Sequence, residues 1–306
     1  MKVVVSGGTG VIGRSAVPAL HAAGHEVVVL ARRPENTAVI EQSGATPAKA
    51  DLFDIDSLVP AYDGADVVVN LATHVPVGYA ALWPGAWRRN DALRTVAAAN
   101  VVEAARQAGV RRVVQESVTF LYADAGEQWI DEDSRLEVTP ATESAAVAES
   151  HVQEYVCDSR AGVVLRFGLF VGGDEMTRFW LRAAAHGRPV GVGKPDAWAH
   201  LVHTDDLGSA VVAALQAPSG VYNVGAEPVR RAELIEGYAA AAGVESAALM
   251  GPLLRRVAGA RMEPLARSLR ISSERFVTKT GWKADRSRFD PSWFDAARGP
   301  VAESAP

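Results

Sequence analysis

Short apolar runs rich in β-branched residues alternate with longer amphipathic segments along the first half of the chain. Such runs predict strands that are covered on both faces, because a strand with one solvated face would alternate apolar and polar residues. Strands that alternate with helices are typical of an α/β fold with a doubly wound parallel sheet. The predicted strands lie at residues 3–5, 27–30, 45–50, 66–71, 112–115 and 163–167, and the predicted helices include residues 55–61, 86–108 and 142–159.

Three glycines separate the first predicted strand from the helix that follows it. Gly7 permits a tight turn, Gly10 permits close approach of the backbone to a pyrophosphate, and Gly13 permits close packing of the helix. Amides of the first helical turn would then face the phosphates and stabilise their charge. This strand, turn, helix and second strand predict a bound dinucleotide. The contacts expected from the turn are Gly7, Thr9, Gly10, Val11, Ile12 and Gly13.

The alternation becomes less regular after residue 172. We therefore expect a dinucleotide-binding domain over residues 1–172 and a smaller substrate-side lobe over residues 173–298, interleaved with the end of the sheet. The tail, residues 299–306, is small and polar, and we expect it to be disordered. In the second part, helices are predicted at 175–186, 204–216, 230–242 and 251–270, and strands at 189–192 and 220–224.

Charge and cysteine content exclude several kinds of partner. The 306 residues carry a net charge of −5 with no lysine-rich run, so neither nucleic acid nor an anionic membrane is an expected partner. The single Cys157 excludes an internal disulfide and fits a reducing compartment. The first strand leaves no room for a signal peptide, and no apolar run is long enough to span a bilayer. We therefore expect a cytoplasmic protein that binds a small-molecule substrate.

Several motifs resemble those of the extended branch of the short-chain dehydrogenase/reductase superfamily, the sugar epimerase/dehydratase type. The resemblance implies a Rossmann-like doubly wound sheet with a smaller C-terminal substrate lobe. It also implies that Asp51 touches adenine and that Leu52, Leu71, Ala72 and Thr73 contact the cofactor. The motifs are Ser6-Gly7-x-x-Gly10-x-x-Gly13, Asp51-Leu52, Asn70-Leu71-Ala72, Gln115-Glu116-Ser117, residues 203–207, residues 220–225 and Gly281-Trp282.

The end of the second predicted strand indicates which nicotinamide cofactor binds. Sites that prefer NAD usually place an acid there to bind the ribose hydroxyls. This chain has Ala31, Arg32 and Arg33 instead. A guanidinium matches a 2′-phosphate in charge and geometry, which predicts NADP(H). The alternative is that both arginines are solvated surface charge.

The acid–base residues of the superfamily are replaced in this chain. The resemblance implies a Tyr-x-x-x-Lys motif at the start of the helix predicted at 142–159, where Ala141 and Ala145 stand at the tyrosine and lysine positions. None of the six tyrosines is followed four residues later by a lysine. The usual proton donor is therefore absent.

Three residues are candidate replacements for that proton donor. Ser117 would serve if its loop shifts by one residue, because Val118 occupies the usual serine position; capping of the strand end is the alternative role. Tyr122 could donate if its hydroxyl faces the cleft. His74 follows a cofactor-contacting motif, and a histidine can act as a proton donor.

Aromatic residues are frequent in the segments expected on the substrate side. They favour an apolar or aromatic substrate over a sugar nucleotide. The alternative is that most of these rings are core and that Lys194 is surface charge. No histidine and carboxylate spacing predicts a metal site. The candidate pocket residues are Tyr79, Trp83, Trp180, Lys194, Trp198 and His200.

Three functions remain compatible with these observations. The first is an atypical NADP(H)-dependent oxidoreductase acting on a small apolar or aromatic carbonyl or enone. The second is a sensor or regulator that binds NADP without turnover, and the third is a non-redox isomerase or cyclase that retains a structural cofactor. The alanine-rich helices at 86–108 and 142–159 would permit either a homodimer or ordinary packing within one subunit.

Overall fold

The computed structural model describes residues 1–250 and 260–298. Its strands, numbered along the chain, are β1 Lys2–Ser6, β2 Glu26–Leu30, β3 Thr46–Ala48, β4 Val67–Asn70, β5 Arg112–Val118, β6 Trp129–Ile130, β7 Ala161–Phe167, β8 Leu169–Val171, β9 Trp198–Ala199, β10 Leu201–His203, β11 Gly220–Val224, β12 Val229–Arg230 and β13 Arg270–Ile271. The first nine helices are α1 Val11–Ala22, α2 Thr37–Gln42, α3 Ile55–Ala61, α4 Arg88–Ala92, α5 Ala98–Gln107, α6 Glu143–Tyr155, α7 Glu175–Ala185, α8 Asp206–Ala214 and α9 Arg231–Ala242. Further helices follow at Glu263–Ala266, Glu274–Thr280 and Asp295–Arg298.

The main sheet has seven parallel strands in the order β11-β7-β5-β4-β1-β2-β3. The chain starts at β1, builds one edge with β2 and β3, and then crosses to β4 on the other side. β1 and β4 are therefore adjacent strands whose connections run in opposite directions, and such a switch point is where ligands bind in open α/β sheets. The predicted α/β fold class is confirmed.

Helices cover both faces of this sheet. α1 and α8 pack together on one face, and α3, α5 and α6 pack on the other. The strands are apolar throughout because successive side chains point to opposite faces, and both faces are buried; Val3, Val4 and Val5 of β1 are 0% exposed. A π-helical turn, Leu93–Ala97, joins α4 to α5.

A separate hydrophobic core forms between α7, α9 and the parallel pair β8 and β10, all of which lie after residue 168. Leu181, Leu234, Trp293 and Phe294 are buried in it. β11 returns to the main sheet beside β7, so the later part of the chain also contributes to the first core.

Most predicted elements are confirmed, with two exceptions. The strand predicted at 189–192 is irregular, with isolated backbone bonds from the Val190 amide to the Ala248 carbonyl and from the Met250 amide to the Gly191 carbonyl. The helix predicted at 251–270 is replaced after residue 260 by short helical turns and β13. Residues 251–259 and the tail 299–306, for which disorder is predicted, lie outside the described residues.

His200 lies in the core between β9 and β10, and its predicted place in a substrate pocket is wrong. The side chain is buried, and two glycines make room for it: a Cβ on Gly168 would lie 2.7 Å from the His200 carbonyl oxygen, and one on Gly225 would lie 2.3 Å from Nε2. Nε2 lies 3.3 Å from the Ser273 hydroxyl, while Nδ1 has no partner among the described residues. Burial lowers the pKa of His200 to about 3.

This burial predicts a loss of stability in mild acid. Below the ordinary histidine pKa of 6.5 the unfolded chain binds a proton that the folded chain excludes until about pH 3, so His200 should reduce the free energy of unfolding by about 1.4 kcal/mol per pH unit in that window. Urea unfolding at about pH 7.5 and about pH 4.5 measures this loss. His200→Gln should lose less stability between the two values than the wild type.

The exposed His186 at the end of α7 offers a matched control, since His186→Gln should keep the wild-type pH dependence. An unchanged pH dependence in His200→Gln would show that other groups cause the acid sensitivity.

Candidate functional site

The turn between β1 and α1 lies very close to the end of β4. Gly7 has a φ of 76°, and a Cβ there would lie 2.5 Å from the carbonyl carbon of Leu71. No side chain can be accommodated at that distance, so the close approach requires glycine. The turn is thereby placed above the gap between β1 and β4.

The start of α1 is open to an anion. Gly10 is the N-cap residue, and no side chain of the described residues caps the helix. A Cβ on Gly13 would lie 2.4 Å from the carbonyl oxygens of Gly7 and Gly8, so the first helical turn packs directly on the loop. Thr9, Val11 and Ile12 complete the turn. Uncapped amides at a helix N-terminus bind phosphates, and these residues therefore fit the pyrophosphate of a dinucleotide.

The remaining predicted cofactor residues lie after strands that neighbour this turn. Arg32 and Arg33 follow β2 and are exposed, and Arg33 Nε lies 3.9 Å from Glu35. The Asp51 carboxylate, beyond β3, accepts the Phe53 amide at 3.1 Å. The strand ends thus bring one set of predicted contacts to a single edge of the sheet: Arg32, Arg33, Asp51, Leu52, Leu71, Ala72 and Thr73.

Ser117 faces the interior of the protein. Its hydroxyl is fully buried and donates to Glu149 Oε1 at 2.5 Å. Glu149 also accepts two bonds from the Arg166 guanidinium, at 2.8 Å and 2.6 Å. The hydroxyl is therefore part of a buried ion-pair network between β5, α6 and β7.

Tyr122 is also fully buried, and the prediction that its hydroxyl could face the cleft is wrong. The hydroxyl donates to Asn223 Oδ1 at 2.8 Å, and the ring packs with Ile130 and Ile271. The Arg166 guanidinium lies over the ring at 4.9 Å. Burial raises the pKa of Tyr122 to about 12, against the attraction of Arg166. Tyr122 is a structural tyrosine in this fold.

A buried charge pair at the end of β5 was not anticipated from the sequence. Arg94, in the π-helical turn, donates to Glu116 Oε1 at 2.5 Å, and both side chains are buried. Arg94 Nε and Glu116 Oε2 have no hydrogen-bond partner in the described part of the chain. Burial raises the pKa of Glu116 against the opposing attraction of Arg94. The sequence signal was the carboxylate of Glu116 in a strand whose neighbouring residues Val113 and Val114 predict burial.

His74 and the two alanines lie on loops and helices near the same edge. His74 is exposed, and its backbone amide donates to Asn90 Oδ1 at 3.1 Å. Ala141 lies in the turn before α6, and Ala145 is buried within that helix. Neither alanine can exchange a proton, and His74 is the predicted candidate whose side chain remains accessible.

Two of the predicted pocket residues lie together in an aromatic wall, defined here as Tyr79, Phe179 and Trp180. The Tyr79 ring is 5.1 Å from Phe179 and 6.4 Å from Trp180, both edge to face. Buried Met250 and Met262 pack in the same cluster as Tyr79 and Trp180.

The other pocket candidates lie elsewhere. Trp83 is 73% exposed, and Lys194 is also exposed. Trp198 forms a different cluster, in which Arg230 lies over its ring at 3.9 Å and Glu127 accepts its indole N–H at 3.0 Å. Trp198 therefore belongs to a different cluster from the aromatic wall, and Trp83 and Lys194 lie at the surface.

Arg261 connects the C-terminal part of the chain to the nucleotide-binding half. Its Nη2 lies 3.4 Å from Asp91 Oδ2 on α4, and Asp91 Oδ1 accepts the Ser144 hydroxyl at 3.0 Å. The Arg261 guanidinium also lies 5.5 Å from the centre of the Trp87 ring. Asp91 and Arg261 are 170 positions apart and belong to no local motif, so the sequence alone does not indicate this cluster.

The described residues contain neither a metal-binding cluster nor a membrane-spanning helix. Within residues 1–250 and 260–298, no group of three or more His, Cys, Asp or Glu side chains could hold a metal ion. No helix in the part of the chain that the structure describes is long and apolar enough to cross a membrane.

Comparison with known proteins extends these observations. A Streptomyces protein named 3-diazoavenalumate denitrifying reductase is 33% identical over 312 residues, covering 96% of this chain and 98% of its own. UDP-glucose 4-epimerase of Thermus thermophilus, solved with NAD, has a TM-score of 0.76 at 23% identity and covers 98% of this chain and all of its own. A human epimerase family protein solved with NADPH has a TM-score of 0.78 at 22% identity, covering 97% of this chain and 99% of its own.

The two solved structures establish the similarity of fold. The sequence profile of the NAD dependent epimerase/dehydratase family matches residues 3–225, which include the glycine turn, the strand ends beside it and β11. Together with the full-length similarity to a reductase, this match identifies the chain as a member of the NAD dependent epimerase/dehydratase family.

Proposed function

We propose that this protein is an NADP(H)-dependent reductase that replaces the diazonium group of an aromatic acid by hydrogen and releases dinitrogen. The observation that carries the proposal is the similarity, over nearly the whole of both chains, to a reductase whose name describes denitrification of a diazo acid. This activity is a specific case of the predicted oxidoreductase, in which the reduced group is a diazonium group and not the predicted carbonyl or enone.

The absence of the usual proton donor favours this reaction. NADPH, when bound, supplies a hydride. An arenediazonium ion and a hydride together make an arene and dinitrogen, so atoms and charges balance without a proton. Reduction of a carbonyl would instead leave an alkoxide that requires an acid. With alanine at positions 141 and 145 and Tyr122 in the core, a reaction that consumes no proton suits this chain.

The residues beside the glycine turn support NADP(H) over NAD(H). Arg32 and Arg33 are exposed at the carboxyl end of β2, next to β1 and its turn. Ala31 directly follows that strand, so no carboxylate there repels a 2′-phosphate. Guanidinium groups bind phosphate through paired, charge-assisted hydrogen bonds.

The aromatic wall supports an aromatic substrate. Tyr79 lies on the segment that follows β4, at the edge of the sheet where ligands bind in this architecture. The rings of Tyr79, Phe179 and Trp180 pack edge to face and are only partly buried, and such polarizable rings bind arenes better than sugars.

The reaction itself is tested with NADPH and 4-carboxybenzenediazonium. We expect protein-dependent loss of NADPH absorbance, release of one dinitrogen per NADPH, and benzoate as the product. With NADPH deuterated at the transferred position, the deuterium should stand on the carbon that carried nitrogen. A reaction without protein measures the chemical background.

A panel of carbonyl and enone compounds distinguishes the alternatives. Reduction of these compounds but not of the diazonium ion would restore the predicted substrate class. Tight NADPH binding without oxidation by any compound would favour a regulator or an isomerase.

The cofactor assignment is tested by replacing Arg32 and Arg33 together with alanine. Removal of charge-assisted bonds to a 2′-phosphate should weaken NADPH binding by about 10- to 100-fold and leave NADH binding within about twofold. Fluorescence titration measures both affinities. Arg135→Ala, at a site whose side chain is 81% exposed, is the matched control. Equal losses for the two cofactors would refute the assignment.

The structural role of Tyr122 leads to a separate prediction. Tyr122→Phe removes the bond to Asn223 and should lower the free energy of unfolding by about 1–3 kcal/mol, because it leaves a buried acceptor unpaired. Turnover of the diazonium substrate should remain within about twofold of the wild type. The matched control is Tyr155→Phe, which removes another buried hydroxyl, bonded to the Val110 carbonyl. A large fall in kcat confined to Tyr122→Phe would identify Tyr122 as a proton donor.

A further inference from the structure

The Arg261 guanidinium uses only part of its hydrogen-bonding capacity. It has five N–H donors, and Nη2 donates to Asp91 at 3.4 Å. Nη1 is buried and has no partner within the described part of the chain. A buried donor on a charged group is costly to leave unpaired, so an acceptor that reaches Nη1 would be bound strongly.

Asp91 accepts a hydrogen bond from this guanidinium and another from Ser144. Oδ1 accepts the Ser144 hydroxyl and Oδ2 accepts Arg261, so both carboxylate oxygens have partners. The Trp87 ring, 5.5 Å from the guanidinium carbon, adds a cation–π contact. These contacts restrict the position of Arg261 and leave its Nη1 for another acceptor.

The contact between Arg261 and Asp91 lies close to the start of α6 and to the aromatic wall. Ser144 directly precedes Ala145, one of the two positions from which the acid–base pair is missing. Met262, the residue after Arg261, packs in the cluster that contains Tyr79 and Trp180. Asp91 lies on α4, which follows the segment that leaves the carboxyl end of β4. Arg261 therefore lies between the aromatic wall and the start of α6.

We propose that Arg261 binds the carboxylate of the aromatic substrate and that Asp91 acts as its positioning residue. The inference rests on the proposed function for the aromatic part of the substrate. A guanidinium edge matches a carboxylate in charge and planar geometry. Asp91 offsets part of the guanidinium charge, so a ligand with two or more negative charges, such as a diphosphate, would be held less well than a single carboxylate bonded directly to Nη1. The name of the Streptomyces relative denotes the anion of a carboxylic acid, in agreement with this class of ligand.

Binding of an unreactive acid tests the inference without any turnover. The probes are 4-hydroxycinnamate and its amide, titrated calorimetrically against the protein with and without NADP⁺. The wild type should bind the acid about 10- to 100-fold more tightly than the amide. Arg261→Gln should bind the two probes equally, while Arg261→Lys, which keeps the charge, should retain part of the preference.

Control measurements separate binding from folding. Arg188→Gln, at an exposed position, should leave the preference for the acid unchanged. Thermal unfolding of each variant shows whether the fold is intact. If the wild type does not distinguish acid from amide, or if Arg261→Gln weakens both probes equally, Arg261 does not bind a carboxylate.

Turnover provides the second readout. Arg261→Gln should raise KM for 4-carboxybenzenediazonium about tenfold or more, and leave KM for benzenediazonium and both kcat values nearly unchanged. The binding experiment and the turnover experiment test the carboxylate site and the reaction separately. An acid preference that depends on Arg261, without reduction of any diazonium ion, would support this inference and refute the proposed function. Reduction of both diazonium ions with equal KM in the wild type would support the function and refute the inference.

Discussion

The turn between β1 and α1 requires very close approach of backbone segments, and the packing of the main sheet and its helices at the nucleotide-binding edge follows from it. A Cβ on Gly7 would collide with the Leu71 backbone, and one on Gly13 would collide with the loop itself. Gly208 plays the same part in α8, since a Cβ there would lie 2.3 Å from the Ser15 carbonyl oxygen in α1. Because Gly7, Gly13 and Gly208 have no Cβ, β1, α1, β4 and α8 can pack closely together. The start of α1 consequently lies at the switch point of the sheet with its amides uncapped.

Buried charges at the end of β5 explain why the predicted serine is not accessible. Ser117 and Arg166 both bond to Glu149, and Arg94 bonds to Glu116 nearby. Breaking either ion pair would leave an uncompensated charge in the interior, which is strongly destabilising. The polar groups of this strand therefore connect it to α6, β7 and the π-helical turn. The Ser117 hydroxyl is thereby bonded in the interior and does not face the carboxyl edge of the sheet.

Local patterns were sufficient to predict the nucleotide-binding half. The helix predicted at 55–61 and the strand predicted at 220–224 have the observed bounds, and the long helix predicted at 86–108 is observed as one run over 88–107. Residues 189–192 do not form the predicted strand. A run that short is also compatible with an irregular segment, and scattered backbone bonds hold it in place. Among the predicted site residues, the glycine turn could be predicted because its conformation depends on the backbone and on neighbours within one turn of helix.

Local sequence patterns are enough to predict the doubly wound sheet and the glycine turn, and they place alanines at the tyrosine and lysine positions of the superfamily. These predictions depend on residues close together in the chain, where periodicity and spacing carry the information. Tertiary packing, in contrast, sets the bond between Tyr122 and Asn223, the burial of His200 and the contact between Arg261 and Asp91. These contacts join residues that are 101 and 170 positions apart, or depend on two glycines from separate segments. The direction of a polar side chain is set by the elements that pack around it, and no local pattern encodes that packing.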